Sequence, residues 1–262
     1  MNSIDFNSIQ NDYPAFIIHV PELVPERSEY CLNNVKTAGY KNPILFKGVN
    51  GKNENEVIEA MKLFNNPKYD RWCSKGNIGC NLSMLKVFLT IVQNKIRVAT
   101  IFEDDVLFHS NWENLAPEYY KNTPNDFDII YMGNQIDECK YENDVPRINK
   151  KSCFCMHALL VSYKGAVRAL QLILNWEYKS NYARECMGRD ADGLTNCDII
   201  LKNYQDRIIA DKINKNIFKW YCWNGTRNPC EYNKLPLTNN RNCRNTGIVF
   251  QNNDFITSSS FL

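Results

Sequence analysis

One stretch of this chain constrains its fold more than any other. An apolar run from Val98 to Phe102 is followed directly by the acids Glu103, Asp104 and Asp105. β-branched and aromatic residues in a run of this length favour a buried strand. In an open α/β sheet, ligands bind where the strands end. Adjacent carboxylates repel one another, so their ionised forms need a cation or a donor group to compensate their charge. The stretch therefore predicts a strand with a binding site at its carboxyl end.

The chemistry of these acids indicates which ligand they suit. Hard carboxylate oxygens without Cys or His beside them favour Mg²⁺ or Mn²⁺, and such sites keep positions open for water and substrate phosphates. The acids predict a metal–diphosphate site on this basis. A solvated strand end, or a cap for a following helix, explains the same residues, and the sequence leaves both interpretations open.

Composition narrows the class of protein. The chain has 262 residues, of which 44 % are hydrophobic, enough for a packed core in one domain. The net charge is +2 without a basic block, so we expect no nucleic-acid partner. The N-terminal residues lack the pattern of a secretory signal, and no apolar run reaches membrane-spanning length. We therefore expect a cytoplasmic protein without a transmembrane segment, whose eleven cysteines are reduced. Oligomeric state is not encoded in these features.

Strand and helix patterns alternate along most of the chain. The predicted strands are Ala15–His19, Pro43–Phe46, the run that ends at the three acids, Asp128–Gly133 and Phe154–Val161, and the predicted helices are Glu26–Ala38, Glu54–Phe64, Gly79–Asn94, Trp112–Tyr120, Tyr163–Leu174 and Ile199–Tyr204. This alternation favours an α/β sheet with helices on both faces. Because no internal repeat or domain boundary is apparent, residues 1–262 are predicted to form a single domain.

Other candidate residues carry weaker signals. Asp190 and Asp192 have D-x-D spacing but no preceding strand, and Leu201 stands where a calcium loop needs Glu. They predict a loop near the metal, either solvated or on the acceptor side. His19 and His157 lie in apolar runs, where histidine is more often a core residue than a ligand, and both roles stay open. The chain has no nucleophile elbow, Walker loop or dinucleotide fingerprint.

The motifs together resemble a known family. The segment Gly79-Cys80-Asn81-Leu82-Ser83, followed by Ile101 to Val106, is similar to the signature of glycosyltransferase family 25. That family includes bacterial lipooligosaccharide glycosyltransferases and collagen galactosyltransferases. Further segments that resemble the family in the same order are Phe16-Ile17-Ile18 with Arg27, Lys47–Gly51, Asp128–Gly133, Ala158–Leu170, Asn196–Asp198 and Val249–Gln251.

The resemblance implies a GT-A fold, an α/β nucleotide-sugar-binding domain with a mostly parallel sheet. It also implies that the acids hold Mn²⁺ or Mg²⁺ against the diphosphate of a UDP-sugar, with a donor-binding part at about 13–135, an acceptor-side part at about 136–251 and an irregular C-terminal tail. The predicted metal contacts are Glu103, Asp105 and His157. The predicted donor contacts are His19, Val20, Arg27, Asn50, Gly51, Ser83, Glu103 and Asp104.

The implied reaction transfers a sugar to a hydroxyl of a glycan, a protein or a lipid-linked glycan, with inversion at the anomeric carbon. Inversion needs a carboxylate base, and Asp198 matches the family motif, with Asp192 and Asp190 as further candidates. An N-cap for the helix that follows is an equally open role for Asp198.

This sequence departs from the family at two positions. Met84 stands where the family commonly has His, and Leu159 where it has Tyr. A catalytically inactive relative that binds a nucleotide-sugar or glycan is the alternative, and Met84 is the sequence feature that suggests it.

Overall fold

The computed structural model describes residues 4–136, 147–176, 192–224 and 243–251. Its helices are α1 (Phe6–Asp12), α2 (Arg27–Thr37), α3 (Glu54–Lys62), α4 (Lys75–Gln93), α5 (Trp112–Asn122), α6 (Tyr163–Leu174) and α7 (Cys197–Ile209). Its strands are β1 (Ala15–His19), β2 (Pro43–Lys47), β3 (Val98–Glu103), β4 (Val106–Phe108), β5 (Ile129–Ile136), β6 (Arg147–Asn149), β7 (Phe154–Ser162), β8 (Trp220–Asn224), β9 (Cys243–Gly247) and β10 (Val249–Gln251).

One central sheet organises these elements. Its strand order is β2-β1-β3-β7-β5-β8-β6, β9 also pairs with β5, and β10 pairs with β4 in a separate ribbon. Strands β1, β2, β3, β5 and β8 run in one direction, whereas β6, β7 and β9 oppose them. The prediction of a mostly parallel α/β sheet is confirmed. Both predicted parts of the chain contribute strands to this sheet, and their division into donor and acceptor sides stays a prediction.

Helices cover both faces of the sheet, as predicted. Successive strand residues point to opposite faces, so Ile101 packs in the apolar cluster that includes residues of α3, α4, α6 and α7. Its neighbour Phe102 packs in the cluster that includes residues of α1, α2 and α5. The acids that follow these two residues therefore start from a strand buried on both sides. In the described ranges no helix is long and apolar enough to cross a membrane.

Helix capping explains where prediction and structure agree and differ. Helix α6 has the predicted bounds, since Ser162 Oγ accepts a hydrogen bond from Gly165 N at 3.0 Å. Helix α4 begins at Lys75 rather than Gly79, because Ser74 caps its first turn.

Helix α1 was not predicted, since its only apolar residues are Phe6 and Ile9, and burial of both stabilises it.

Close backbone packing joins α4 to the turn after β2. A Cβ atom at Gly51 would lie 1.8 Å from the carbonyl oxygen of Lys75, and one at Gly79 would lie 2.6 Å from that of Val49. Ser83 Oγ accepts a hydrogen bond from Val49 N at 2.7 Å and donates one to the Gly79 oxygen at 2.6 Å. Only glycine permits this approach, so the Val-Asn-Gly turn and the Gly-Cys-x-x-Ser segment fix each other.

We expect Gly51→Ala to destabilise the protein by about 3 kcal/mol, because the added methyl group meets rigid backbone. Differential scanning calorimetry should show a Tm about 10 °C lower. Gly76→Ala, at a half-buried position in the same helix as Gly79, is the matched control and should not lower Tm, since alanine favours the helix. An unchanged Tm for Gly51→Ala would show that this packing is looser than described.

Candidate functional site

The acids Glu103, Asp104 and Asp105 point in different directions. Glu103 is the last residue of β3, and Asp104 and Asp105 form the turn into β4. Because side chains alternate along a strand, Glu103 lies on the same face of the sheet as Ile101. Helices α4 and α7 cover this face. Asp104 instead contacts Arg27 of α2, on the opposite side. The triplet is therefore divided between two environments.

A buried polar network holds Asp104. Its Oδ2 lies 2.7 Å from Nδ1 of His19, and its Oδ1 accepts a hydrogen bond from Arg27 Nη1 at 3.0 Å. The other ring nitrogen of His19 lies 2.7 Å from Ser28 Oγ. Because both carboxylate oxygens are engaged, Asp104 anchors the turn to β1 and α2. The structure brings the predicted donor contacts His19, Arg27 and Asp104 together, and their contact with a donor stays a prediction.

Glu103 and Asp105 are the two acids of the triplet whose pKa values are raised. Burial, followed by the charge of neighbouring carboxylates, raises the pKa of both groups above the usual carboxyl range. Among the described residues, the buried Oδ1 of Asp105 has no hydrogen-bond partner. A buried carboxylate oxygen in this state is destabilised unless a cation or a donor group approaches it. The arrangement suits a ligand that brings positive charge.

These pKa shifts predict how stability depends on pH. An acid whose pKa is raised on folding binds more protons in the folded state, so the free energy of unfolding falls as pH rises above about 4. Glu103→Gln removes one such acid, and its amide oxygen can still accept the hydrogen bond that Gln251 Nε2 donates to Glu103 Oε2. In EDTA, we expect its Tm to match the wild type near pH 4 and to exceed it by a few degrees at pH 8.

Calorimetry at the two pH values checks this expectation. Glu59→Gln, which removes an exposed carboxylate paired with Lys62, is the control and should show no comparable gain at pH 8. A lower Tm for Glu103→Gln than for the wild type at pH 8 would contradict the repulsion between the acids.

Asp198 brings a further carboxylate to the Glu103 side of the sheet. It lies in the first turn of α7, whose N-cap is Asn196, so the N-cap interpretation of Asp198 is wrong. Its Oδ1 accepts a hydrogen bond from Ile199 N at 2.8 Å, and its Oδ2 accepts one from Cys155 N at 3.4 Å. Burial raises the pKa of Asp198 in spite of these bonds.

The pairing of β3 with β7, whose Cys155 N–H contacts Asp198, places Asp198 near the end of β3. The charge of Asp198 contributes to the raised pKa of Glu103, after burial and the nearer acids of the triplet. Cys80 of α4 is exposed, but the protein packed around it and the charges of Glu103, Asp198 and Asp105 raise the pKa of its thiol. Carboxylates from β3, its following turn and α7 therefore act on one region beside α4.

His157 lies on β7 at the level of Glu103, because Phe102 of β3 pairs with Ala158. Its Nε2 lies 3.1 Å from the carbonyl oxygen of Val249, and burial lowers its pKa to about 4. Among the described residues its buried Nδ1 has no hydrogen-bond partner. The ring is therefore neutral and bound to β10 through one nitrogen, and metal contact through the other stays a prediction.

Gln251 is a contact that sequence reasoning did not assign to the site. Its Nε2 donates a hydrogen bond to Glu103 Oε2 at 3.0 Å, and β10 places it there by pairing antiparallel with β4, Gln251 opposite Val106. The only signal in the sequence is its place in the last motif that resembles the family. Glu103 is therefore held by an amide from a strand far along the chain.

A divalent cation fits the donor atoms present. Within the described ranges, no group of three or more His, Cys, Asp or Glu side chains could hold a metal ion by itself. Mg²⁺ at phosphate sites is commonly held by one or two carboxylates together with substrate phosphates. Asp105 Oδ1 supplies a hard oxygen without a hydrogen-bond partner in the described part of the chain, and Glu103 supplies a second carboxylate. These two residues are the candidates for such an ion.

The other predicted donor contacts surround the first two strands. Val20 follows β1, and its carbonyl oxygen accepts hydrogen bonds from the next turn. Asn50 donates from its backbone to Glu56 Oε2 at 3.1 Å, while Gly51 and Ser83 form the packing contact with α4. Their contact with a nucleotide-sugar stays a prediction.

Asp192 joins two loops. Its Oδ1 accepts a hydrogen bond from Arg71 N at 3.2 Å, and its backbone N donates to Oδ2 of the buried Asp70 at 3.2 Å. These contacts link the segment before α4 to the segment before α7. Asp190 lies outside the described residues, and the catalytic roles of both acids stay predictions.

The two departures from the family pattern lie in the apolar core. Met84 of α4 is 2 % exposed, Leu159 of β7 is fully buried, and both belong to the same apolar cluster. Neither change alters the carboxylates of the site.

Comparison with known proteins tests the resemblance. The model of a family described as glycosyltransferase family 25 (LPS biosynthesis protein) matches residues 16–186. The chain belongs to glycosyltransferase family 25. The matched region includes the β3 acids and the Gly-Cys-x-x-Ser segment of α4 and ends before Asp198.

Individual members of family 25 are similar over part of the chain. Procollagen galactosyltransferase 1 of Danio rerio is 29 % identical over 123 residues, which are 44 % of this chain and 20 % of that protein. Procollagen galactosyltransferase 1-A of Xenopus laevis is 24 % identical over 188 residues, 61 % of this chain and 30 % of that protein. Probable inactive glycosyltransferase 25 family member 3 of Bos taurus is 27 % identical over 79 residues, 29 % of this chain and 13 % of that protein. The chain thus spans less than a third of the length of these relatives.

Proposed function

We propose that this protein is a metal-dependent glycosyltransferase that moves a sugar from a UDP-sugar to an acceptor hydroxyl, with inversion at the anomeric carbon. The placement of Glu103, Asp105 and Asp198 in one region beside α4 supports this proposal, since β7 joins β3 to Asp198 and α4 contacts the start of α7. Membership of glycosyltransferase family 25 supports the transferase class. The acids divide between the two tasks that such a reaction requires, one at the donor and one at the acceptor.

Glu103 and Asp105 serve the donor. They would hold Mn²⁺ or Mg²⁺, which supplies Lewis-acid stabilisation of the negative charge that develops on the departing UDP. Gln251 orients Glu103 through its hydrogen bond, and the network of His19 and Arg27 fixes Asp104. The turn that carries Asp105 is therefore held from both sides of the sheet.

Asp198 serves the acceptor as the general base. It takes the proton of the acceptor hydroxyl as that oxygen bonds to the anomeric carbon, and the bond from this carbon to the UDP oxygen breaks. A raised pKa makes the carboxylate a stronger base once it is ionised, and burial is the cause of the shift. The hydrogen bonds from Ile199 and Cys155 restrict its orientation.

The relatives suggest which substrates to test first. Two of them are named procollagen galactosyltransferases, so UDP-galactose and hydroxyl groups on proteins come first, followed by glycans and lipid-linked glycans as acceptors. The name of the matching family, which refers to LPS biosynthesis, supports the inclusion of lipid-linked glycans.

A nucleotide-sugar-binding protein without turnover is the second candidate, because one similar protein is named a probable inactive member. The two candidates differ in whether UDP is released. We expect the wild type to release UDP from at least one UDP-sugar in the presence of Mn²⁺ and an acceptor, and Asp198→Asn to release far less. Metal-dependent UDP binding without release from any donor and acceptor offered would favour the binding protein.

A further inference from the structure

We propose that Asn81 and the backbone of Cys155 are positioning elements that fix the Asp198 carboxylate for its task. This inference rests on the proposed role of Asp198 as the general base. The two elements approach from different directions, since Asn81 lies on α4 and Cys155 on β7. Neither is required to touch the substrate, so each acts through Asp198.

Asn81 clamps the chain at the start of α7. Its Nδ2 donates a hydrogen bond to the carbonyl oxygen of Thr195 at 3.0 Å, and its Oδ1 accepts one from Cys197 N at 2.8 Å. Asn81 is buried, and both ends of its amide are used. The first N–H groups of a helix lack partners within the helix, and the N-cap Asn196 supplies no side-chain hydrogen bond here. A side chain of α4 therefore takes over part of the capping and sets where α7 begins.

Cys155 has an unusual backbone conformation. Its φ of 67° lies in the left-handed region, which is unfavourable for a residue with a Cβ atom. The other described non-glycine residues with positive φ lie outside helices and strands, whereas Cys155 lies within β7. Such strain persists only where the surrounding structure imposes it, and it is concentrated at functional sites. Here the kink directs the Cys155 N–H toward Asp198 Oδ2.

The two elements together restrain Asp198 from α4 and from β7. The clamp fixes the first turn of α7, and the N–H of Cys155 approaches the second oxygen of the carboxylate from β7. Orientation of a catalytic group contributes strongly to rate, and a displacement of about 1 Å can cost about 100-fold. Loss of either element should therefore lower kcat while the donor site around Asp105 remains intact.

Asn81→Leu tests the clamp, because leucine has a similar volume and makes neither hydrogen bond. We expect kcat to fall about 10-fold to 100-fold, with the Kd for UDP and Mn²⁺ changed by less than about 3-fold. Thr123→Val is the matched control: its hydroxyl also makes two hydrogen bonds in a buried setting, to Tyr119 and from Trp223. Both substitutions should lower Tm, because each removes two buried hydrogen bonds. Thr123→Val should leave kcat unchanged.

A pair of substitutions at Cys155 separates its backbone from its thiol. Glycine adopts positive φ without strain, so Cys155→Gly should keep kcat within about 2-fold of the wild type. Valine is β-branched and strongly disfavours this conformation, so Cys155→Val should lower kcat about 10-fold or more with UDP binding retained. Loss of kcat in both variants would assign the role to the thiol and overturn the backbone role.

The outcomes separate this inference from the proposed function. If Asn81→Leu and Cys155→Val keep wild-type kcat while Asp198→Asn is inactive, the positioning role is wrong and the base assignment stands. If Asp198→Asn keeps wild-type kcat, the base assignment is wrong and the inference fails with it. Absence of turnover in the wild type contradicts the proposed function and this inference together.

Discussion

Asp105→Asn is expected to abolish the Mn²⁺-dependent binding of UDP. The substitution keeps the size of the side chain and removes the charge next to Oδ1, the buried oxygen that has no hydrogen-bond partner among the described residues. Loss of a direct metal ligand should cost more than the roughly 10-fold to 100-fold cost of losing a residue that only supports a ligand. Isothermal titration with UDP should therefore show a Kd raised by more than about 100-fold in Mn²⁺.

Asp211→Asn is the control for this experiment. Asp211 is an exposed carboxylate paired with Lys215 beyond the end of α7, so its substitution should leave UDP binding unchanged. Undiminished Mn²⁺-dependent binding by Asp105→Asn would mean that Asp105 does not hold the metal. Glu103 and the His157 Nδ1 atom would then be the remaining candidates.

Asp198→Asn has the second large expected effect, on turnover. Asparagine keeps the shape of the side chain and one of its two oxygens but cannot accept the proton of the acceptor, so kcat should fall about 10²-fold to 10⁴-fold. The Kd for UDP in Mn²⁺ should stay within about 3-fold of the wild type, because the donor is held by the β3 acids. Steady-state kinetics with saturating donor, together with titration of UDP, measures both quantities.

The combination of kcat and Kd shows whether Asp198 acts on the acceptor or belongs to the donor site. If Asp198→Asn loses UDP binding as well as turnover, Asp198 belongs to the donor site. If it keeps turnover, another carboxylate is the base, and Asp192 and Asp190 are the next to substitute.

Local patterns in the sequence were sufficient to predict the strand that carries the acids. The apolar run from Val98 to Phe102 favoured a buried strand, and the observed strand carries this run and ends at Glu103. Period-two alternation then requires that Glu103 and Phe102 face opposite sides. The alternation of elements, the helices on both faces and the family were likewise readable from residues close together in sequence.

Contacts between distant segments were not readable in this way. Nothing local to Asp104 indicates that His19 and Arg27 will occupy both of its oxygens, and nothing local to Glu103 indicates the hydrogen bond from Gln251. These partners are set by how β1, α2 and β10 meet around the end of β3. A side chain's partner is decided by tertiary packing, whereas its strand or helix is decided largely by its neighbours in sequence.

Helix ends also differ in whether nearby or distant residues determine them. Ser162 caps α6 from within its own segment, and the helix has the predicted bounds. Helix α7 instead begins at Cys197, where Asn81 of another helix accepts the hydrogen bond of its backbone N–H. The start of α7, and hence the orientation of Asp198, depends on a residue far away in sequence.

Titration of the wild-type protein with UDP, in Mn²⁺ and again in EDTA, tests the central claim most directly. The proposed site predicts saturable binding in Mn²⁺ that disappears in EDTA and returns when Mn²⁺ or Mg²⁺ is restored, because the cation bridges the acids to the diphosphate, whereas the ionised acids alone repel it. Binding of equal affinity in both conditions, or no binding in either, would contradict a metal–diphosphate site at the end of β3.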